Sequence, residues 1–233
     1  MVYNGLIALR RWFLPKTCLA CGGRAGTDEF CDPCRAALPR LGPCCVRCAI
    51  PLPGTGTERS CGRCLTRPPH FERAHAVYRY EAPIDRLVQG FKYRRRLDWG
   101  RVLGGALIEQ VRDARERPDA IVPVPLHRRR LRERGYNQSL ELARPIGRAL
   151  DIPVLAFAVR RVRPTPAQAG LNRDERRRNV RNAFDVVQPQ HVLDRHIAIV
   201  DDVMTSGHTA DALARALKRA GAAKVSVWVV ARA

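Results

Sequence analysis

The sequence predicts an α/β domain, a parallel sheet flanked by helices, preceded by a small cysteine-rich metal-binding module. Three observations predict it. All nine cysteines fall between Cys18 and Cys64. From Phe71 onward, short apolar runs alternate with segments of helical period. The apolar run Ile197 to Val200 then passes through Asp201 and Asp202 into a hydroxyl-rich, glycine-containing turn and a helix, which is half of a βαβ unit. At 233 residues and 45% hydrophobic content, the chain is long enough for one substantial packed domain and a small one.

The patch Leu6 to Leu9 reads as a short amphipathic helix leading into Pro15. It is too short for a signal-peptide core, and Arg10 and Arg11 follow it rather than precede it. No apolar run approaches the ~20 residues of a membrane-spanning helix, so a cytoplasmic location without membrane insertion is expected.

Eight of the nine cysteines form CxxC pairs: Cys18/Cys21, Cys31/Cys34, Cys45/Cys48 and Cys61/Cys64, with Cys44 left over. A CxxC knuckle sets two thiolates on one turn for tetrahedral zinc, whereas disulfides need no such spacing. The economical reading is two structural zinc ions in a double zinc ribbon. Cys18, Cys21, Cys31 and Cys34 would hold one, and Cys45, Cys48, Cys61 and Cys64 the other. A crossed pairing, a thiol-redox role and an iron–sulfur cluster are the alternatives. Four thiolates leave no open coordination position, so the metal is read as structural rather than catalytic. The module spans 1–70, and the Pro/Gly-rich stretch ending at Pro69 places the boundary near His70.

Within 71–233 the pattern predicts a strand or hairpin arm at Ala74 to Tyr80, then helices over Pro83 to Tyr93 and Trp99 to Arg117, and a buried strand at Ala120 to Pro125. A basic loop follows from His127 to Arg134, then a helix from Asn137 to Leu150 that Pro145 should kink. Val154 to Arg160, Phe184 to Val187, Ile197 to Asp201 and Val225 to Ala231 read as further strands. Leu213 and Leu217, spaced i,i+4, mark the helix between the last two, and Gly221 marks its stop.

The turn carries the chemistry. Backbone amides at a helix start, with the macrodipole behind them, favour a phosphate dianion, and the Thr205, Ser206 and Thr209 hydroxyls add donors. Gly207 lets the main chain approach a ligand closely. Ionised Asp201 and Asp202 only accept hydrogen bonds, which suits vicinal ribose hydroxyls. A ribose 5-phosphate fits this order of groups. The basic segment 127–134 lies at the end of a buried strand, where α/β sheets bind ligands, and could embrace pyrophosphate. Asn137 suits an N-cap as well as a ligand contact. The stretch 163–184 starts as a Pro/Gly loop, runs into charge and could form a lid. The net charge of +20 also makes an extended polyanion such as DNA or RNA a candidate partner. Arginine-rich segments near Tyr93, Trp99, Tyr136 and Phe184 could track such a backbone and stack its bases.

The run from Ile197 to Thr209 resembles the phosphoribosyl pyrophosphate motif of type I phosphoribosyltransferases. Taken with the cysteine knuckles, PVPLHRRRLRERGYNQS and TPAQAGLNRDERRRNVRNAF, the whole chain resembles the ComF family. That resemblance implies a bacterial cytoplasmic protein in which a zinc module joins a type I phosphoribosyltransferase-like domain, with a link to single-stranded DNA uptake in natural transformation (competence). It implies that Asp201 and Asp202 bind ribose hydroxyls and that Thr205, Ser206, Gly207, His208 and Thr209 cradle phosphate. Arg134, Gly135, Asn137 and Gln138 match a second signature, beside the pyrophosphate candidates His127, Arg128, Arg129 and Arg130. Gln168, Leu171, Arg176, Arg177 and Asn179 match a third, the lid. Phosphoribosyl pyrophosphate or ribose 5-phosphate is the implied ligand, with Mg²⁺ accompanying the diphosphate and single-stranded DNA or an uptake helicase as partners. Purine phosphoribosyltransferases often carry an acid in the phosphate loop, and here Thr205 stands in its place. Whether the domain is an active glycosyltransferase or a zinc-stabilised adaptor with a vestigial site stays open at this point.

Overall fold

The computed structural model describes residues 16–54, 59–114, 116–162 and 183–233. The N-terminal helix expected before Pro15 and the lid residues Gln168, Leu171, Arg176, Arg177 and Asn179 lie outside the described residues. In chain order the elements are α1 (Asp32–Ala36), α2 (Gly62–Thr66), β1 (Arg73–Arg79), α3 (Ile84–Tyr93), α4 (Leu97–Arg112), β2 (Ala120–Pro123), α5 (Arg128–Arg134), α6 (Gln138–Leu150), β3 (Val159–Arg161), β4 (Phe184–Val186), β5 (His196–Met204), α7 (His208–Arg219) and β6 (Lys224–Arg232).

A parallel sheet ordered β1-β6-β5-β2 organises the domain. Parallel strands joined by helical crossovers are covered on both faces, so their sequences read as continuous apolar runs. In β5, Ile197 and Ile199 turn to one face and Ala198 and Val200 to the other, and all four are fully buried. The first face receives α7 through Leu213 and Leu217. The second receives α3, α4 and α6 through Phe91, Leu107, Leu142 and Ile146. Helices α3 and α4 meet so closely that a Cβ on Gly90 would lie 2.1 Å from the Trp99 ring, and only glycine permits that approach. Among the described residues no helix is long and apolar enough to cross a membrane.

The metal module straddles the β1 edge. Leu41 N–H donates to Val77 C=O and Arg79 N–H to Pro39 C=O, so residues 39–41 run beside β1 and cover an edge that would otherwise be open. Cys18, Phe30 and Leu38 join the core on one face of the sheet, and Ala49 joins the core on the other.

Several sequence expectations change. The basic stretch after His127 is helix α5 rather than a loop. Its N-cap is His127, whose Nδ1 accepts from Arg129 N–H, and its stop is Gly135 at φ +84°. Helix α6 spans Gln138 to Leu150 with Pro145 inside it, as expected, so the proline does not end the helix. The strand expected at Val154 to Arg160 reduces to a single bridge between Val154 and Ile121, then a turn, then β3, which pairs antiparallel with β4 apart from the main sheet. Helix α4 begins two residues early and ends at Arg112 instead of Arg117. Strand β5 continues past both acids to Met204, so they lie within the strand and not at its end.

Candidate functional site

Each group of four thiols converges. The ligand atoms of Cys18, Cys21, Cys31 and Cys34 lie within 4.8 Å of one another, as do those of Cys45, Cys48, Cys61 and Cys64. A tetrahedron with ~2.3 Å Zn–S bonds has S···S edges of ~3.8 Å. Cys21 Sγ to Cys31 Sγ is 3.8 Å and Cys48 Sγ to Cys61 Sγ is 3.7 Å, far beyond a disulfide. The pairing is therefore sequential and not crossed. Burial pushes the Cys45 thiol up, but the backbone amides of Cys61, Cys48 and Arg47 outweigh it and hold it down at about 7, poised to ligate as thiolate. Cys44 stands outside both clusters.

The acid pair sits near the C-terminal end of β5. Asp201 is partly buried, and its Oδ1 accepts from Ser139 Oγ at 2.8 Å and from the Asp202 amide at 2.9 Å. Burial raises its carboxyl to about 7, the Asp202 charge adds to the rise, and Lys92 and the Ser139 bond only partly oppose it. Asp202 is 2% exposed. Its Oδ1 meets Lys92 Nζ at 2.9 Å and the Val203 amide at 2.7 Å, while its Oδ2 is buried with no hydrogen-bond partner among the described residues. Lys92, at the end of α3, is held fully protonated: burial alone would lower its pKa, but the charges of Asp202 and Asp201 more than compensate.

Thr205, Ser206 and Gly207 form the turn beyond β5, and His208 and Thr209 open α7. Gly207 stands at φ +79°, a left-handed conformation that side chains disfavour. The first intrahelical bond of α7 runs from Asp211 N–H to Gly207 C=O, and Gly207 at the N-cap has no side chain with which to cap the helix. A helix start leaves its first amides without intrahelical acceptors, which makes this turn suited to an anion.

The second signature divides between scaffold and site. Asn137 caps α6, its Oδ1 accepting from Ser139 N–H at 3.0 Å and its Nδ2 donating to Val124 C=O at 3.1 Å, so it positions Ser139 rather than reaching outward. Arg134 donates to Gln138, which is buried, and lies 5.1 Å from the centre of the Tyr93 ring. Arg128 is exposed, and Arg129 pairs with Glu133 at 2.9 Å on the exposed side of α5. Arg130 is partly buried and close enough to Arg161 to depress its pKa further, after burial, while Asp201 opposes the shift. Of the four aromatic residues considered for base stacking, Phe184 is buried and Trp99 and Tyr136 are partly buried, whereas Tyr93 is 72% exposed.

Sequence reasoning missed Lys92, Ser139 and Arg161 as members of the site, and Arg63 and Arg232 as its supports. Arg63 Nη1 donates to Ser206 C=O at 3.0 Å. Arg232 Nε donates to Cys48 C=O at 2.9 Å and its Nη1 to Met204 C=O at 3.0 Å. Lys92 stands in the basic run from Lys92 to Arg96, and no local pattern singles it out as the partner of Asp202.

Comparison with known proteins adds two domain matches: a double zinc ribbon domain over 9–65 and a phosphoribosyl transferase domain over 101–233. The chain is 34% identical over 229 residues to "Competence protein F" of Haemophilus influenzae, covering 95% of this chain and 99% of that one. It is 39% identical over 231 residues to "DNA utilization protein YhgH" of Escherichia coli O157:H7, covering 97% and 93%. Among solved structures, the glutamine phosphoribosylpyrophosphate amidotransferase of B. subtilis overlaps 60% of this chain and 30% of its own, with 19% identity and a TM-score of 0.42.

Proposed function

Because this chain belongs to the ComF family, which joins a double zinc ribbon to a phosphoribosyltransferase domain, we propose that its β5–α7 site binds phosphoribosyl pyrophosphate or ribose 5-phosphate. The observation that carries this reading is the orphaned Oδ2 of Asp202, a buried acceptor next to a phosphate-type turn. Buried polar atoms are nearly always hydrogen-bonded, so an unpaired carboxylate oxygen calls for a donor from a ligand. A ribose hydroxyl supplies one. Asp201 accepts from the neighbouring hydroxyl, while the amides and hydroxyls of 205–209 hold the 5-phosphate. Lys92, Arg134 and Arg130 supply positive charge on the pyrophosphate side, and Arg161 adds to it. Mg²⁺ would arrive with the diphosphate and neutralise the leaving group. With Thr205 where a loop acid would act as base, the site supports donor binding more directly than transfer to a purine.

Isothermal titration with phosphoribosyl pyrophosphate tests this reading. Asp202→Asn keeps the shape, removes the charge and should weaken binding by about 10–100-fold, the worth of a charge-assisted hydrogen bond. No heat from the unaltered protein refutes the reading.

A second reading, handling of single-stranded DNA, is favoured by one surface feature. The exposed Tyr93 ring carries Arg134 at 5.1 Å, next to exposed Arg94 and Arg95. Aromatic stacking beside guanidinium charge suits unpaired bases without sequence preference, and the names of the curated relatives agree with such a role. Mobility shifts of oligonucleotides across a salt series should weaken steeply with salt, and Tyr93→Ala should weaken them further. Unchanged mobility at low salt removes this role.

A further inference from the structure

We infer that the second cysteine cluster is a positioning element for the phosphate loop, acting through Arg63 and Arg232. The inference rests on the reading that this loop holds a 5-phosphate. Arg63 lies in α2, between the ligands Cys61 and Cys64, and donates to Ser206 C=O at 3.0 Å. Arg232, 4% exposed at the end of β6, is gripped from the cluster side by its bond to Cys48 C=O. From there it donates to Met204 C=O and to Thr205 C=O. Three consecutive carbonyls, from Met204 at the end of β5 to Ser206 in the turn, thus accept from two guanidinium groups, one carried between two metal ligands and the other bonded to the carbonyl of a third.

Peptide geometry turns this into a statement about the ligand. In a planar trans peptide the C=O of one residue and the N–H of the next point in opposite directions. Holding the carbonyls of Met204, Thr205 and Ser206 toward the ribbon therefore aims the amides of Thr205, Ser206 and Gly207 away from it, where an anion can collect them. A third tether runs from the ribbon's exit to α7: His70 donates its backbone N–H to Asp211 Oδ1 at 2.7 Å, and its Nδ1 lies 2.9 Å from the same oxygen. The ribbon fixes the loop before any ligand arrives, which reduces the ordering cost of binding.

The test uses the full chain, loaded with zinc, and compares Arg63→Ala with Arg63→Lys. Arg63 is exposed, so its loss should leave the fold and the zinc content intact. Arg63→Ala should weaken ribose 5-phosphate binding about tenfold in calorimetry and speed hydrogen exchange at the amides of Ser206 and Gly207, and Arg63→Lys, which still donates, should recover most of both. Ribose 5-phosphate binding equal to the unaltered protein in Arg63→Ala overturns the inference alone. Loss of zinc in that variant also overturns it, since the effect would then pass through the fold and not through the guanidinium. No binding by the unaltered protein overturns the ligand reading and this inference together.

Discussion

The two cysteine clusters have the same ligand spacing of two residues within each knuckle, yet they meet the domain differently. The first, with Cys18, Phe30 and Leu38, buries apolar surface against the face that carries α3, α4 and α6, and its exit chain covers the edge of β1. The second places guanidinium and carbonyl groups against the turn between β5 and α7. Both sides bury some apolar surface, Ala49 doing so beside the second cluster, but among the described residues only the second cluster is linked to the turn by side-chain hydrogen bonds. Apolar burial stabilises without specifying orientation, whereas hydrogen bonds set atoms at defined distances. The same motif therefore serves stability at one end of the module and geometry at the other.

Removing a thiolate from each cluster is the strongest way to break this comparison. Structural zinc contributes on the order of 10–16 kcal/mol in isolated fingers, so Cys21→Ser and Cys61→Ser should each lower the zinc content from two ions to one and reduce thermal stability strongly. Only Cys61→Ser should also weaken ribose 5-phosphate binding at a temperature where both variants remain folded. Elemental analysis and calorimetry on the same samples decide it, and equal losses of affinity would mean that the clusters act alike.

What the sequence disclosed divides along a related line. The CxxC knuckles and the run from Asp201 to Thr209 were legible because their members are near neighbours in the chain, whereas which knuckles share an ion was decided only by the fold that brings Cys18, Cys21, Cys31 and Cys34 together. Lys92 and Ser139 reach the acids from α3 and α6, and only tertiary packing brings them there. Helix α5 was read as a loop because its arginines show no apolar period. Yet arginine, leucine and glutamate are good helix formers, and Gly135 supplies the stop. Val154 to Arg160 misled for the opposite reason. Its residues are apolar enough for a strand, but the chain turns there and leaves Phe157 77% exposed.

An intermediate effect sharpens the comparison by separating the two ends of the ligand. The Asp201 carboxyl is raised from 3.8 to about 7 by burial and by the Asp202 charge. A ribose hydroxyl needs the ionised acceptor, so phosphoribosyl pyrophosphate affinity should fall as pH drops below about 7, toward tenfold per pH unit, with a proton released on binding. The unliganded fold should respond in the opposite direction. Between pH ~4 and ~7 the folded state holds a proton that the unfolded state has lost, so the stability that this carboxyl contributes declines as pH rises through that window. Calorimetry in buffers of different ionisation enthalpy measures the proton directly. Because Arg63 acts on the phosphate end, Arg63→Ala should shift the affinity and leave the midpoint near 7. A midpoint that moves with Arg63 would show that the ribbon also reaches the acids.

The smallest effect lies on the first ribbon's side. Arg40 pairs by a backbone bridge with Tyr78, and its guanidinium sits 5.0 Å from the centre of that ring. Truncation to alanine keeps the backbone bridge and removes the cation–π contact, worth ~0.5–1 kcal/mol where the cation remains wet. Arg40→Ala should therefore lower the denaturation midpoint slightly and leave ribose 5-phosphate affinity unchanged. If affinity falls as far as it does in Arg63→Ala, then strain at the β1 edge passes through β6 to Arg232, and the sheet itself, not the hydrogen bonds of the second ribbon, sets the loop. The outcome turns on β6, because it is hydrogen-bonded to β1 on one side and carries Arg232 at its end.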